Sequence, residues 1–240
     1  METTGGGSGG QSASEEAMLG RLAARALELV RDATVIGLGS GRAASAFIRA
    51  LGAEARRGRR VLGVPTSEAT AHLAREVGIP LTGLDGPSID VTVDGADEVD
   101  PALNMIKGYG GALVRERIVA AASGRQLILV GEEKIVTALG SRGRLPVEVV
   151  AFALPLSLRR LARLGLEPVV RTVGGKAFVS DNGNPIVDCR IGPIENAPAF
   201  EAALRAVPGV VDTGLFIGTA SMVLVAEADS IAELRRPAGP

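Results

Sequence analysis

The chain is poor in the residue types on which several common functions depend. Aromatic residues make up only 2% of its 240 residues and tryptophan is absent, so aromatic platforms for stacking nucleic-acid bases are not expected. The formal net charge of −1 likewise offers no basic surface for nucleic acid. A single histidine, His72, excludes metal sites built from several histidines. Any general base is therefore expected to be a carboxylate or a lysine.

Cysteine and long apolar runs are also scarce. Cys189 is the only cysteine, which excludes an intrachain disulfide and favours a reducing, cytoplasmic setting. No apolar run approaches the roughly 18 residues of a membrane span, so no membrane association is expected. Residues 1–14 are rich in glycine and serine and lack the basic and apolar regions of a secretory signal. They are predicted to be a disordered leader.

Apolar segments alternate with helical patterns in the first part of the chain, which is typical of a parallel α/β fold. An amphipathic helix is predicted over residues 15–31, and the hydroxyls of Thr66 and Ser67 can cap another helix. Predicted strands lie at 33–38, 61–64, 80–84, 89–94 and 126–130, with a further helix at 42–51. Ligands bind at the carboxyl ends of such strands, so the loops at Gly39, Thr66 and Asp94 are expected to meet at one crevice.

The pattern changes after about residue 140, and a second, smaller α+β domain is predicted. Strands are expected at 145–150, 168–172, 176–179, 185–190 and 210–212, and helices at 154–164 and 197–206. The sequence at 180–184 is a hairpin turn signal, and a buried strand at 221–226 is a candidate to return to the first sheet. We assign residues 15–142 and 214–240 to a catalytic, Rossmann-like α/β domain and residues 143–213 to the smaller domain.

A glycine-rich segment, Gly37 to Arg42, follows a predicted strand and opens a helix. Its backbone N–H groups and the helix dipole can bind an anion. The segment is not a dinucleotide fingerprint, because Arg42 occupies the position of the third glycine, and it lacks the lysine of a P-loop. Binding of a phosphate or sugar phosphate and a tight strand-to-helix turn both remain open.

Carboxylates cluster at the end of the strand predicted over 89–94. The alternation of that strand places Asp94 at its terminus, and Gly95 permits a sharp turn that brings Asp97 and Glu98 nearby. The alternative is a solvated acidic turn in which Asp97 or Asp100 caps a helix.

A lysine and a further glutamate follow. Lys107 lies in the sequence Lys-Gly-Tyr-Gly-Gly, a loop expected to be too flexible to need a lysine for packing. Glu116 lies on a largely apolar helix, where a carboxylate must be partnered or have a raised pKa. The alternative is a salt bridge from Glu116 to Arg115, Arg117 or another helix.

These segments occur in an order that resembles one enzyme family. The matching segments are 37–41, 64–67, 94–98, 107–113, 115–116, 133–134, 145–148, 172, 181–188 and 214–216. In this order they resemble type A ribose-5-phosphate isomerase, and the resemblance covers nearly the whole chain after residue 14. It implies an aldose–ketose isomerase of the non-oxidative pentose phosphate pathway. Such an enzyme interconverts D-ribose 5-phosphate and D-ribulose 5-phosphate through an enediolate, without a metal or other cofactor.

The resemblance also implies roles for individual residues. Glu116 matches the family's proton-transferring glutamate, and Lys107 matches the loop lysine that stabilises charge on the enediolate oxygen. Asp94 and Asp97 match the acidic loop and would handle hydroxyl protons, including those of ring opening. The implied substrate-binding residues are Ser40, Gly41, Arg42, Ala43, Asp94, Gly95, Ala96, Asp97, Lys107, Gly108, Tyr109, Gly110 and Lys134. The implied partners are a sugar phosphate and further copies of the chain, as a homodimer or homotetramer, with neither nucleic acid nor membrane.

The chain departs from the family pattern near the expected phosphate. The family loop usually reads Gly-Thr-Gly-Ser-Thr, where this chain has Gly-Ser-Gly-Arg-Ala at 39–43, and Leu19 and Gly20 replace lysines. The hypothesis is that Arg42 binds phosphate in place of the lost hydroxyls.

Two other functions fit less of the sequence. A sugar-phosphate sensing module, such as a transcriptional effector domain, would have a helix-turn-helix before the sheet, for which the segment before residue 33 leaves no space. It would also not require Asp94, Lys107 and Glu116 together. A nucleotide-dependent dehydrogenase is contradicted by Arg42 and by the missing ribose-binding acid.

Overall fold

The computed structural model describes residues 8–236, with side chains from residue 13 onward. Residues 1–7 of the predicted leader lie outside the described residues. The first helix begins at Ser8, so the leader prediction was wrong for residues 8–14, which are helical. Gln11, Ala13 and Glu15 are good helix formers, which allows the helix to extend into the glycine-rich segment.

The described chain contains six α-helices and short 3₁₀ turns at Glu132–Lys134 and Ala151–Ala153. The α-helices are α1 (Ser8–Leu29), α2 (Arg42–Arg56), α3 (Glu68–Glu76), α4 (Leu113–Ala121), α5 (Leu154–Arg163) and α6 (Ala197–Arg205). None of these described helices is both long and apolar enough to cross a membrane.

Fifteen strands fall between and after the helices. They are β1 (Val35–Leu38), β2 (Leu62–Pro65), β3 (Val91–Gly95), β4 (Glu98–Val99), β5 (Met105–Ile106), β6 (Gln126–Gly131), β7 (Arg144–Val149), β8 (Glu167–Val170), β9 (Thr172–Val173), β10 (Lys176–Ala177), β11 (Ile186–Arg190), β12 (Val210–Thr213), β13 (Leu215–Phe216), β14 (Met222–Ala226) and β15 (Ile231–Arg235).

The main sheet has the strand order β15-β14-β6-β3-β1-β2 and is parallel except at the β14–β15 pair. The predicted parallel α/β fold is therefore confirmed. The predicted return of strand 221–226 is confirmed as well, because Leu224 of β14 pairs in parallel with Leu129 of β6. The predicted strand at 80–84 was wrong, since only a bridge between Gly63 and Leu81 forms there. Pro80 has no N–H to extend a ladder.

Side chains of the central strands β1, β3, β6 and β14 are buried on both faces, as a parallel sheet requires. Along β6, Leu127 and Leu129 pack with α1, α2 and α3, whereas Ile128 and Val130 pack on the other face with α4 and β14. This two-sided burial fixes the positions of the loops at the carboxyl ends of β1, β3 and β6.

A second, antiparallel sheet has the order β12-β7-β11-β8, and together with α5 and α6 it encloses a core to which Ile106, Leu139 and Leu215 also contribute. All of these elements lie within residues 143–213, although a domain boundary there stays a prediction. The predicted hairpin turn is present as a bridge between Val179 and Pro185, but β10 pairs with β9 rather than with β11. A small sheet has the order β13-β5-β4, and its strand β13 lies in the chain between β12 of the second sheet and β14 of the main sheet.

Candidate active site

A cavity of about 290 Å³ opens at the carboxyl ends of the main-sheet strands. The loops after β1 and β3, the loop before α4 and the end of β6 all contribute to its wall, together with α1. Thr66, at the end of β2, does not line the cavity, but its hydroxyl lies 2.9 Å from the hydroxyl of Ser40, which does. The predicted crevice is therefore present with the loops after β1 and β3 in its wall, whereas Thr66 contacts Ser40 instead of lining it.

Lys107 is the centre of the polar cluster in this cavity. It is only 2% exposed, and its ammonium faces three oxygens. The carbonyl oxygen of Gly95 accepts a hydrogen bond from Nζ at 2.5 Å. The carboxylate oxygens Oδ2 of Asp94 and Oε2 of Glu116 lie at 3.0 and 3.2 Å. The predicted catalytic residues thus form one contiguous group.

The position of Asp94 depends on close packing between the loops after β1 and β3. Its Oδ1 accepts hydrogen bonds from the backbone N–H groups of Ser40 and Gly95, at 3.1 and 2.8 Å. A Cβ at Gly39 would lie 2.2 Å from the same oxygen, so only glycine allows this approach. Asp94 is fully buried, with one oxygen on the backbone and the other toward Lys107.

The loop that carries Lys107 is packed rather than loose, so the expectation of a flexible loop was wrong. Gly108 and Gly111 have φ angles of 100° and 89°, which side chains rarely adopt. A Cβ at Gly111 would lie 2.5 Å from the Phe178 ring, and one at Gly108 would lie 2.9 Å from the Cβ of Leu113. The glycines therefore allow close contact, and the lysine is held inside it.

Glu116 occupies the first turn of α4 and is 5% exposed. Burial raises the pKa of Glu116, and the Lys107 ammonium offsets this only in part, while Asp94 raises the pKa further. The alternative of a salt bridge to a neighbouring arginine does not hold. Arg115 pairs with Glu68, and Arg117 pairs with acids of α6 and β12.

The charge state of the cluster follows from these contacts. Burial alone would lower the pKa of Lys107, but the carboxylates of Asp94 and Glu116 outweigh burial and raise it, so the ammonium stays protonated. Asp97 lines the cavity beside it, and burial raises the Asp97 pKa despite a 3.0 Å hydrogen bond from the Tyr109 N–H.

The other acidic residues of the turn after β3 accept hydrogen bonds from backbone N–H groups. Glu98 is fully buried and accepts hydrogen bonds from the N–H groups of Gly140 and Arg142 at 2.6 and 2.9 Å. Asp100 accepts hydrogen bonds from the N–H groups of Ala102 and Asn104. The solvated, helix-capping alternative therefore does not describe this turn, since no α-helix follows it before Leu113.

The other end of the cavity lies at the N-terminus of α2. Gly41 is the N-terminal cap, with a φ of 90° and no side chain to occupy the helix's free N–H groups. The Ser40 hydroxyl lies within hydrogen-bond distance of the hydroxyls of Thr66, Ser67 and Thr70. Arg42 pairs with Glu15 of α1, and its side chain is 72% exposed.

Comparison with known proteins identifies the family. The family model for ribose 5-phosphate isomerase A (phosphoriboisomerase A) matches residues 62–230. The ribose-5-phosphate isomerase A of Roseiflexus castenholzii is 53% identical over 221 residues, which cover 90% of this chain and 94% of the relative. The chain belongs to the ribose 5-phosphate isomerase A family.

Solved structures of ribose 5-phosphate isomerases agree with this membership. The ribose 5-phosphate isomerase A structure from Methanocaldococcus jannaschii matches with a TM-score of 0.87 at 38% identity, covering 92% of this chain and 99% of that one. A D-ribose-5-phosphate isomerase in complex with phospho-erythronic acid matches with a TM-score of 0.88, at the same identity and coverage. The resemblance drawn from the sequence motifs is confirmed.

Most of the residues expected from the ribose 5-phosphate isomerase A resemblance line the cavity. They are Ser40, Gly41, Arg42, Ala43, Gly95, Ala96, Asp97, Lys107, Gly108, Gly110, Glu116 and Lys134. Asp94 and Tyr109 are not part of the lining. Asp94 lies behind Lys107, and the Tyr109 hydroxyl donates to the backbone oxygen of Arg144 at 3.2 Å.

Two groups of lining residues were not among the predicted site residues. From α1 come Glu15, Met18, Leu19 and Leu22, and from the end of β6 and the turn after it come Leu129, Val130, Gly131 and Glu133. An amphipathic helix with apolar residues on one face reads as core packing, so α1 gave no local signal of a site. The available signals were that Leu19 and Gly20 stand where the ribose 5-phosphate isomerase A family commonly has lysines, and that Glu133 lies in a segment matching the family.

Proposed function

We propose that this chain is an isomerase that interconverts D-ribose 5-phosphate and D-ribulose 5-phosphate through an enediolate. The observation that carries the proposal is the buried ammonium of Lys107, held between the carboxylates of Asp94 and Glu116 at the wall of a cavity. Family membership supports the substrate. A related isomerase binds phospho-erythronic acid, a phosphorylated four-carbon acid, which supports a site for a phosphate at one end and a charged planar group at the other.

Glu116 is the base in this proposal. Isomerisation removes the hydrogen from C2 of the open-chain aldose and returns one to C1 of the ketose. A single carboxylate can do both if its pKa lies nearer to neutrality than that of an ordinary glutamate. Burial raises the pKa of Glu116 in this direction, and its place in the cavity wall gives it access to the sugar.

Lys107 stabilises the oxygen that becomes negative in the enediolate. Before proton transfer its ammonium is shared between Asp94 and Glu116. When Glu116 accepts the proton it becomes neutral, so its attraction for the ammonium weakens as negative charge develops on the substrate oxygen. The positive charge is then directed at the intermediate without any movement of the lysine.

We assign the remaining two roles of the mechanism to Asp94 and Asp97. Asp94 has one oxygen on backbone N–H groups and the other toward Lys107, so we assign it the role of holding the ammonium. Asp97 lines the cavity, and burial raises its pKa, so we assign it the hydroxyl protons that move in ring opening.

The phosphate is assigned to the N-terminus of α2. The N–H groups of residues 41–43, which unlike that of Ser40 do not donate to Asp94, favour an anion, and Lys134 in the cavity wall adds a cation. Arg42 is within the same wall, but it is paired with Glu15, so phosphate would replace the Glu15 carboxylate as its partner.

We further propose a homodimer or homotetramer in a reducing, cytoplasmic setting, with the domain division at residues 143–213. Phe152 is 97% exposed, and Val150 and Leu156, close to it in the chain, are exposed as well, so this apolar segment is one that a partner subunit would cover. Light scattering of the wild type and of Phe152→Glu tests the oligomeric state, and a monomeric wild type would contradict the proposed homo-oligomer.

The one cysteine, Cys189, is buried and unpaired.

The function is tested by incubating the protein with ribose 5-phosphate in deuterated water. Ribulose 5-phosphate should form, and deuterium should appear at the carbon to which the base returns a proton. The matched control is Glu116→Gln, which keeps the side-chain shape and lacks the base. Absence of product with the wild-type protein would contradict the proposed function.

A further inference from the structure

Arg171 lies between β8 and β9, outside the main sheet, yet it is bonded to the loop that carries Lys107. It is 8% exposed, and all five N–H groups of its guanidinium have an acceptor. Three of the bonds, at 3.0–3.2 Å, go to the backbone oxygens of Gly108 and Tyr109. The other two go to the carboxylate of Asp188 at 2.9 and 2.6 Å.

The two carbonyls belong to the residues that directly follow Lys107. The backbone N–H of Lys107 donates to the Gly214 oxygen at 2.9 Å, and the N–H of Tyr109 donates to Asp97 at 3.0 Å. Arg171 holds the carbonyl side of the peptides between these points. Residues 107–109, which position the ammonium and contact Asp97, are therefore held from two sides. Asp97 follows β3 of the main sheet, and Arg171 follows β8 of the second sheet.

Asp188 of β11 fixes the guanidinium in turn. Burial would raise the pKa of Asp188, but the hydrogen bonds from Arg171 and Arg144 lower it, so the carboxylate is charged at neutral pH. A two-pronged bond between a guanidinium and a carboxylate fixes the plane of the arginine, which a lysine ammonium cannot reproduce. The plane matters because the remaining N–H groups must point at two different carbonyls.

We propose that Arg171, oriented by Asp188, is a positioning residue of the isomerase, which sets the place of the Lys107 ammonium through the Gly108 and Tyr109 carbonyls. This inference rests on the proposed function for its kinetic consequence. Arg171 does not line the cavity, so it acts on the reaction only through the loop.

The test compares Arg171→Lys with wild type. Lysine keeps the charge but lacks the planar guanidinium that binds Asp188 and the two carbonyl oxygens together, so the loop that carries Lys107 should move. We expect kcat to fall about 10- to 100-fold, since misplacement by about 1 Å can have an effect of this size. KM should stay within about threefold, because the N-terminus of α2 is unchanged. Amide hydrogen exchange should become faster at Tyr109, whose N–H donates to Asp97, and at Gly111, whose N–H donates to the Gly108 oxygen within the loop.

Arg59→Met is the matched control for general destabilisation. Arg59 is also largely buried and donates to backbone oxygens, those of Val30 and Ala33, but it lies away from the cavity. Its loss should lower Tm and leave kcat unchanged. An equal fall of kcat in Arg59→Met would overturn the assignment, as would an Arg171→Lys enzyme whose kcat stays within twofold of wild type.

A second variant tests the inference if the Arg171→Lys protein does not fold. Asp188→Asn keeps the side-chain shape and removes the charge that orients Arg171, and a smaller fall of kcat, about 3- to 30-fold, is expected. Wild-type kcat in that variant would overturn the inference. If the wild-type protein itself does not turn over ribose 5-phosphate, the proposed function fails. Amide exchange at Tyr109 and Gly111 then still decides whether Arg171 holds the loop.

Discussion

The two ends of the cavity are built differently. At the end proposed for proton transfer, Lys107 and Glu116 are almost fully buried, and the ammonium faces the carboxylates of Asp94 and Glu116. At the α2 end, the Arg42 side chain is mostly exposed and pairs with Glu15, and a Cβ at Gly41 would have nothing within 4 Å.

In the proposed mechanism, this difference separates the residues of catalysis from those of phosphate binding. Groups fixed before the substrate arrives lower the barrier without reorganising, so changes at the buried end should act mainly on kcat. Arg42, which in the proposed function exchanges Glu15 for the phosphate, would contribute the same interaction before and during reaction. Changes at the exposed end should therefore act mainly on KM.

The largest effect is expected from Glu116→Gln. It removes the base and keeps the size of the side chain, so kcat should fall by roughly 10²–10⁴, the usual contribution of a positioned acid–base group. Steady-state kinetics with ribose 5-phosphate measures this. Turnover near that of wild type would remove Glu116 from the proposed mechanism.

Protein stability is the control for that variant. The folded-state pKa of Glu116 lies above its ordinary value, so ionising Glu116 opposes folding once the pH exceeds the unfolded-state pKa. The neutral glutamine avoids this opposition. We therefore expect Tm at neutral pH to be unchanged or raised in Glu116→Gln, and a strongly lowered Tm would mean that lost folding explains the lost activity.

A second prediction concerns the pH profile of kcat/KM. Lys107 lowers the pKa of Glu116 and Asp94 raises it, so removing each charge should shift the acid limb in opposite directions. In Lys107→Met the limb should move to higher pH, and in Asp94→Asn to lower pH. Lys107→Met should also lower kcat about 10²–10³-fold through loss of charge stabilisation. Shifts of the same sign in both variants would contradict the proposed charge arrangement.

The smallest effect is expected at the exposed end. Arg42→Ala should raise KM roughly fivefold with little change in kcat, because an exposed charge pair contributes about 1 kcal/mol. Glu15→Gln removes the competing carboxylate and should lower KM slightly. An unchanged KM in Arg42→Ala would make that arginine structural, and a fall of kcat in either variant would break the division between the two ends.

Much of the candidate site could be predicted because its parts are local patterns on a parallel sheet. Asp94 ends a clearly alternating strand, Lys107 lies in an unmistakable glycine-rich segment, and Glu116 is a charge on an apolar helix. Since the carboxyl ends of parallel strands share one edge, chain order predicted that the loops at Gly39 and Asp94 lie together. The family resemblance added Lys107 and Glu116 to that site.

The parts that could not be predicted depend on contacts between residues distant in sequence. Nothing near Phe216 indicates that its ring lies 5.5 Å from the Lys107 ammonium, and nothing near Arg171 indicates its bonds to Gly108. The edge strand β15 was also missed, because its residues are half exposed and mixed in polarity. Such features arise from tertiary packing, which overrides local propensity.

The glycine at position 39 limits how far this enzyme could be redesigned. Adding a single methyl group there would force Asp94 to move, although residue 39 carries no reactive atom. Positions 42 and 43 open onto the cavity, so they are where a library aimed at sugars of other length could be tolerated. Variation at 39 should instead yield proteins that retain the sheet and lose turnover.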